Sequence, residues 1–101
     1  ATDEAAIVPI RLNDAVGWAS LPKVIVEMGG QIEQQTEHYL WASFRSQWIG
    51  FVDDLELLMD AENRVLHVRA ASRVGRSDFS VNRQRVALLR TKLAEVGGVK
   101  K

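Results

Sequence analysis

The feature that most constrains the fold is a two-residue alternation of apolar and polar side chains in three successive segments, residues 39–46, 54–59 and 65–72. Successive side chains of a β-strand point to opposite faces of a sheet, so this period predicts strands with one buried and one wet face. Residues 31–35 and a turn at 36–38 extend the antiparallel meander. The residues predicted to face the core are Leu40, Ala42, Phe44, Leu55, Leu57, Met59, Leu66, Val68 and Ala70.

Helical spacing replaces this alternation on both sides of the meander. Apolar residues recur at three- and four-residue intervals from Trp18 to Met28, and the glycine pair at 29–30 predicts the end of this helix. Asn13 is placed to cap this helix, but because Pro22 removes a hydrogen bond inside a helix, we expect the ordered part to begin nearer Ser20. A second helix is predicted over about residues 79–96, with an apolar stripe of Val86, Leu89, Leu93 and Val96.

A first strand is predicted over residues 5–12, and Pro9 within it indicates an edge position because proline cannot donate to a ladder. The simplest arrangement that buries all these stripes is an α+β, two-layer fold. It has a mostly antiparallel sheet of about five strands, in the order β-α-β-β-β-β-α, with two helices on one face. We expect one domain over residues 1–101, with flexible ends at 1–4 and 98–101.

Cysteine is absent from the 101 residues, which excludes a disulfide and a thiolate metal site. The net charge of zero hides a lopsided distribution. Residues 1–62 carry three basic and eleven acidic side chains, a net charge of −8, whereas residues 63–101 carry ten basic and two acidic ones, a net charge of +8. This split indicates either complementary surfaces within the domain, which we prefer, or a basic face that attracts an anion.

Two long ungapped blocks carry a family resemblance. The first is F-R-S-x-x-x-G-F-V-D-D-x-E-x-L-x-D, and the second is V-L-H-V-R-A-A-S-R-V-G-x-S-D-x-x-V-N-R-x-R-V. Together they resemble the signature of the domain-of-unknown-function family 1499 (DUF1499), and Trp18 and the pair at 39–40 agree with its weaker N-terminal half. The resemblance implies a bacterial cell envelope or periplasmic setting, although this chain shows no signal segment. It implies no assigned activity, catalytic residue or cofactor.

An acidic group at the start of the third alternating segment is the first candidate site. Carboxylate oxygens suit a hard cation, so Asp53, Asp54, Glu56 and His67 define an alternative function as a small metal-dependent or hydrolytic enzyme. On a regular strand Asp53 points away from Asp54 and Glu56, so the three converge only if residues 50–53 form a bulge or turn. We prefer a structural acid–arginine network without a metal. The candidate arginines are Arg45, Arg69 and Arg73.

The second candidate is an arginine-rich corner around the predicted start of the last helix. Free amides at a helix N-terminus and the planar guanidinium group suit phosphate or carboxylate. A competing interpretation has Asp53 or Asp54 filling this corner, so that Asp53, Arg73 and Asn82 form an internal lock. The predicted anion- or partner-binding residues are Arg69, Arg73, Arg76, Asn82 and Arg83.

A third candidate is the apolar turn that contains Trp48, Ile49 and Phe51. If exposed, it suits a partner protein or a membrane surface; if folded back, it closes the end of the sheet. The neutral net charge and the lack of aromatic residues among the basic ones argue against nucleic acid. We therefore predict a non-enzymatic binding or assembly module for an unknown protein or a small anion, with no cofactor. Membrane contact is expected only through this turn or through a removed leader.

Overall fold

The predicted order of elements is confirmed. In the computed structural model of the protein, the described residues are 6–12, 15–45, 52–73 and 79–97. The ends predicted to be flexible, residues 1–4 and 98–101, lie outside them. The elements are β1 (Ala6–Arg11), α1 (Ala15–Glu27), β2 (Gln31–Gln35), β3 (Tyr39–Arg45), β4 (Val52–Asp60), β5 (Val65–Ser72) and α2 (Phe79–Glu95).

The five strands form one sheet in the order β1-β5-β4-β3-β2, and every neighbouring pair is antiparallel. The chain therefore runs as a meander from β2 to β5, while β1 lies at the far edge beside β5. Pro9 sits in this edge strand opposite His67, as its missing donor predicts. At the other edge, the register of β2 shifts between Ile32 and Gln34, which marks a bulge.

The core lies between one face of the sheet and both helices. The alternation predicted for the central strands is confirmed, because all of the predicted core-facing residues are buried except Met59, which is partly buried and packs against the core. From the helices, Leu21, Ile25, Leu89 and Leu93 are fully buried in the same cluster. Such full burial stabilises each side chain by roughly 1.5–3 kcal/mol relative to exposure.

Helix α1 begins earlier than predicted. It starts at Ala15 rather than near Ser20, so Pro22 lies inside it and leaves the carbonyl of Trp18 without its usual donor. The prediction of a late start was wrong because packing outweighs this local cost. Leu21 is fully buried directly before the proline, and Trp18 is packed against the core one turn earlier.

The end of α1 is set by the predicted glycine pair. Gly29 has φ 96°, and the amides of Gly29 and Gly30 donate to the carbonyls of Val26 and Ile25 over 3.0 and 2.9 Å. This is a Schellman ending, in which a left-handed residue closes the last turn. Gly30 is also a close approach, since a Cβ there would lie 2.7 Å from the Phe44 ring. Glycine at this point lets the helix turn directly into β2.

Helix α2 buries Val86, Leu89 and Leu93, as predicted for its stripe. Val96, predicted as the last member, is instead 48% exposed. The helix ends at Glu95 and the chain turns through Gly97 at φ 77°, so the helical period no longer carries Val96 towards the sheet. Within the described ranges, no helix combines the length and the apolar character needed to cross a membrane.

Candidate functional site

The sheet face that looks away from the helices is here called the open face. It is formed by every second residue of the three central strands, and its polar groups make hydrogen bonds from one strand to the next. Its residues considered below are Tyr39, Trp41, Asp54, Glu56, Leu58, His67, Arg69 and Arg73.

Trp41, Asp54 and Arg73 form the first hydrogen-bonded chain across the open face. The Trp41 indole Nε1 donates to Asp54 Oδ1 over 2.8 Å. Arg73 donates from Nε to Oδ2 over 2.8 Å and from Nη2 to Oδ1 over 2.9 Å. This two-point pairing has the geometry that makes arginine–carboxylate contacts strong and directional. The Asp54 carboxylate is therefore held on both of its oxygens.

Tyr39, Glu56 and Arg69 repeat this arrangement two residues further along β4. The Tyr39 hydroxyl donates to Glu56 Oε2 over 2.7 Å, and Arg69 Nη1 donates to Glu56 Oε1 over 3.3 Å. Glu56 and Arg69 lie directly opposite each other in the ladder. The single longer bond leaves the Arg69 guanidinium less engaged than that of Arg73. Arg69 is also 48% exposed, so this group is open to solvent.

These contacts shift three pKa values. The hydrogen bonds from Arg73 lower the pKa of Asp54 below its ordinary value, and the same contact raises the pKa of Arg73. Burial, helped by the hydrogen bond to Glu56, raises the pKa of Tyr39 to about 12. At neutral pH the open face therefore carries an ionised Asp54, a charged Arg73 and a neutral tyrosine hydroxyl that donates.

A shallow depression of about 230 Å³ lies on the open face over the strand pair β4 and β5. Its walls are largely apolar and include Tyr39 and Leu58. Leu58 is 52% exposed, which is unusual for a leucine in the middle of a strand. His67 and Arg69 line the β5 side, and Glu56 lies between them and Tyr39. The depression thus combines an apolar surface with an arginine.

A second polar group, here called the Asp53 cluster, lies on the other face of the sheet under α2. Asp53 accepts a hydrogen bond from Ser72 Oγ over 2.6 Å and another from Arg85 Nη1 over 2.8 Å. Asn82, fully buried, donates from Nδ2 to Ser72 Oγ over 3.4 Å. The Arg85 guanidinium also stacks 4.5 Å from the centre of the Phe44 ring. The cluster therefore joins β3, β4 and β5 to α2.

The acids of the alternative enzyme site do not meet on one face. The register of β4 is regular against β3 from Val52 to Leu58 and against β5 from Asp53 to Asp60, so the bulge that convergence requires is absent from the described part of this strand. Asp53 consequently faces α2, whereas Asp54 and Glu56 lie on the open face. Among the described residues, no group of three or more histidines and acids is placed to hold a metal ion.

The arginine-corner residues are spread over three places. Arg69 and Arg73 lie on the open face, each paired with one carboxylate. Asn82 is buried under α2, and Arg83 is exposed on that helix. The remaining member, Arg76, lies outside the described ranges, as do the turn residues Trp48, Ile49 and Phe51.

All three ion pairs found among the described residues join an acid of the first 62 residues to an arginine of the remainder. They are Asp53 with Arg85, Asp54 with Arg73, and Glu56 with Arg69. The opposite charges of the two halves are thus brought together across β4, β5 and α2.

Three residues of these hydrogen-bond networks were not predicted as site residues from the sequence. Arg85 lies three residues after Asn82 on α2 and directly before Val86 of the buried stripe. This spacing could have indicated that the Arg85 side chain faces the sheet. Tyr39 and Trp41 share a strand face with the predicted wet side, and half-buried tyrosine and tryptophan commonly need a hydrogen-bond partner. Strand alternation places both on the same face as Asp54 and Glu56, and the register of β3 against β4 brings them beside these acids.

A family model matches most of the chain. The family model described as a protein of unknown function, DUF1499, matches residues 1–93. The chain belongs to the DUF1499 family. The predicted resemblance is therefore confirmed, and the match spans the open face, the Asp53 cluster and most of α2. A search of the curated proteins finds no significant match to this DUF1499 chain.

Proposed function

We propose that this DUF1499 domain is a non-enzymatic binding or assembly module, which holds an anionic group of its partner on the open face through Arg69 and Arg73. The observation that carries the proposal is the exposure of these two arginines on a sheet face that neither helix covers. Their side chains are 48% and 47% exposed, and each contacts a single carboxylate.

Donor capacity supports the same function. A guanidinium has more N–H donors than Arg69 uses, since its only bond among the described residues is the 3.3 Å contact with Glu56. Arg73 engages Nε and Nη2, which leaves Nη1 for another acceptor. A carboxylate or phosphate that approaches from solvent can bind these donors without breaking either internal ion pair.

The other predicted residues take different parts in this proposal. Arg83, exposed on α2, supplies further positive charge. Arg76 lies outside the described residues and stays a predicted contributor of charge. Asn82 acts indirectly, because a fully buried side chain supports the surface without touching a partner. The aromatic turn of Trp48, Ile49 and Phe51 is a second contact in the proposal.

A thermal-shift screen against acetate, phosphate and divalent cations tests the function. A ligand that binds only the folded state raises the unfolding temperature, with about 2.7 kcal/mol of stabilisation at one hundred times its dissociation constant. We expect acetate or phosphate to stabilise the wild type, and the double variant Arg69→Gln/Arg73→Gln to lose this response.

The matched control is Arg90→Gln, which removes an exposed arginine from α2 whose contact is a 3.4 Å bond to the Pro9 carbonyl. This control should respond to anions like the wild type. An equal anion response in the double variant would contradict the proposed surface. Stabilisation by a divalent cation that disappears in Asp54→Ala would instead support the enzymatic alternative.

A further inference from the structure

We infer that the depression beside Arg69 is a specificity pocket for an acidic peptide segment of the partner, taking one leucine-sized apolar side chain while the peptide's carboxylate pairs with Arg69. This inference rests on the proposed function. It adds the chemical class of the partner and the spacing of its two recognised side chains.

The size of the depression favours a peptide side chain. Sites for small-molecule ligands and cofactors usually enclose roughly 300–1,000 Å³, whereas this depression measures about 230 Å³ and is shallow. A cofactor would remain largely outside it. Domains that bind extended peptides commonly take alternate side chains into small pockets of this kind.

The walls of the depression favour binding of an apolar group. Tyr39 is fixed by its 2.7 Å hydrogen bond to Glu56, so its ring loses little freedom when a ligand covers it. Leu58 already exposes 52% of its surface, and covering this surface removes apolar area from water. Both effects favour a leucine or phenylalanine side chain over a polar one.

The charges beside the depression favour an acidic partner. Glu56 is the one acid that lines it, and its two oxygens already accept from Tyr39 and Arg69. A cationic ligand would have to compete with Arg69 for Glu56. An anionic ligand finds the remaining donors of Arg69. The pocket and its arginine are therefore complementary to an apolar side chain next to a carboxylate.

The ladder sets the spacing between the two recognised groups. Leu58 lies opposite His67, and Glu56 lies opposite Arg69. The pair that contains the apolar Leu58 is therefore two residues along the strands from the pair that contains Arg69. This separation is roughly 7 Å along a strand. In an extended peptide, side chains at positions i and i+2 share one face at the same separation. The peptide should therefore carry its acidic and apolar residues with one residue between them.

The test is an amide NMR titration of the whole domain with four capped peptides. The lead peptide contains Glu-Ser-Leu between glycines. Gln-Ser-Leu removes the charge, Glu-Ser-Ala removes the apolar side chain, and Glu-Leu-Ser changes the spacing. We expect the lead peptide to bind at least about tenfold more tightly than each of the others, since a charge-assisted hydrogen bond or a buried leucine has this magnitude.

Two variants and one control assign the effect to the pocket. Leu58→Ser should weaken the lead peptide about tenfold, while Val26→Ser, which changes an apolar residue 59% exposed on α1, should leave affinity unchanged. Arg69→Gln should remove the difference between the Glu-Ser-Leu and Gln-Ser-Leu peptides. Because all three side chains are at least 48% exposed, the amide spectra should show that the variants remain folded.

The outcomes separate this inference from the function on which it rests. Equal affinity for Glu-Ser-Leu and Glu-Ser-Ala, with binding lost in Arg69→Gln, would overturn the apolar pocket and leave anion binding intact. Equal affinity for Glu-Ser-Leu and Glu-Leu-Ser would overturn the spacing. If no peptide binds and acetate and phosphate also fail to stabilise the domain, both proposals are wrong.

Discussion

Asp53 and Asp54 are neighbours in the chain and both pair with an arginine, yet they belong to opposite sides of the molecule. Asp53 faces α2, where its side chain and that of Arg85 are 16% and 18% exposed. Asp54 lies on the open face with its side chain 22% exposed, and the main difference is in its partner, because Arg73 is 47% exposed. Strand geometry alone makes this difference, because successive residues point to opposite faces. Two aspartate–arginine pairs from one strand therefore lie in different surroundings, one under α2 and one on the open face.

Burial decides which consequence applies. A charge pair removed from water is poorly screened, and loss of one partner strands the other in a low-dielectric site. An exposed pair contributes little because water and salt screen it. The Asp53 cluster accordingly ties α2 to the sheet, whereas the exposed arginines on the open face remain accessible to an outside group.

The largest effect that distinguishes the two sides should come from Asp53→Ala. Removal of this carboxylate leaves Arg85 unpaired under α2, and we expect the free energy of unfolding to fall by about 3 kcal/mol, at the low end of the range for buried pairs because some exposure remains. Urea denaturation of Asp53→Ala and Asp54→Ala measures the contrast. A loss in Asp54→Ala as large as that in Asp53→Ala would remove the distinction between the two sides.

The second effect concerns Asn82, the buried amide of the Asp53 cluster. Asn82→Ala leaves polar groups around Ser72 without their partner, so we expect stability to fall by about 2 kcal/mol. Gln84→Ala is the matched control, since Gln84 is exposed on the same helix, and its effect should stay within about 0.5 kcal/mol. Similar effects of the two substitutions in thermal or urea unfolding would show that the cluster contributes no special stability.

The two-residue period of the strands predicts which side chains share a face of the sheet. It does not predict the contacts that depend on how the helices pack. Alternation from Leu40 to Ala70 is sufficient to separate the two faces and to place Asp53 away from Asp54. The internal lock was predicted to join Asp53 to Arg73 and Asn82, but Arg73 pairs with Asp54 on the open face and Arg85 pairs with Asp53. The position of Arg85 could not be predicted because it depends on how α2 lies across the sheet. The predicted start of α1 was wrong for a similar reason, since burial of the residues around Pro22 offsets the local cost of this proline.

The candidate site shows the same limit. The wet face was predicted, but the depression arises where Tyr39, Leu58 and Arg69 from three strands come together. Its position depends on register, which a single strand's period does not fix. Arg69, Asn82 and Arg83 are close in the sequence, but the structure places them in different surroundings, with Arg69 on the open face, Asn82 buried and Arg83 exposed on α2.

Tyr39, the one tyrosine of the chain, allows an isolated test of the open face. Its phenolate absorbance should titrate with a pKa of about 12 rather than the ordinary value of about 10. In Glu56→Gln the pKa should fall but remain above 10, because burial is the larger cause. A midpoint near 10 in the wild-type domain would mean that Tyr39 is not held as described.

The same shift predicts how stability changes at alkaline pH. A raised pKa in the folded state means that folding favours the protonated tyrosine. This contribution is fully present below about pH 10, the unfolded value, and is lost as pH rises towards about 12. Tyr39→Phe should therefore lose stability less steeply across this window than the wild type in urea denaturation.

The smallest effect concerns Asp54 in acid. Its pKa is lowered in the folded state by Arg73, so its contribution to stability is present above the unfolded value of about 3.9 and is lost as pH falls through the depressed folded value. Asp54→Asn should be slightly less stable at neutral pH and lose less stability below about pH 4. Parallel pH profiles for the two proteins would contradict the pairing with Arg73.

The most direct test of the claim that the open face is the side that meets an outside anion is an acetate titration of Glu56→Gln, monitored by amide NMR. If Arg69 is the group that meets an outside anion, removal of its internal partner should tighten acetate binding several-fold, with shifts centred on residues 67–69. Glu27→Gln removes an exposed acid from α1 and controls for net charge. Unchanged or weaker binding in Glu56→Gln, or equal tightening in Glu27→Gln, would contradict the account.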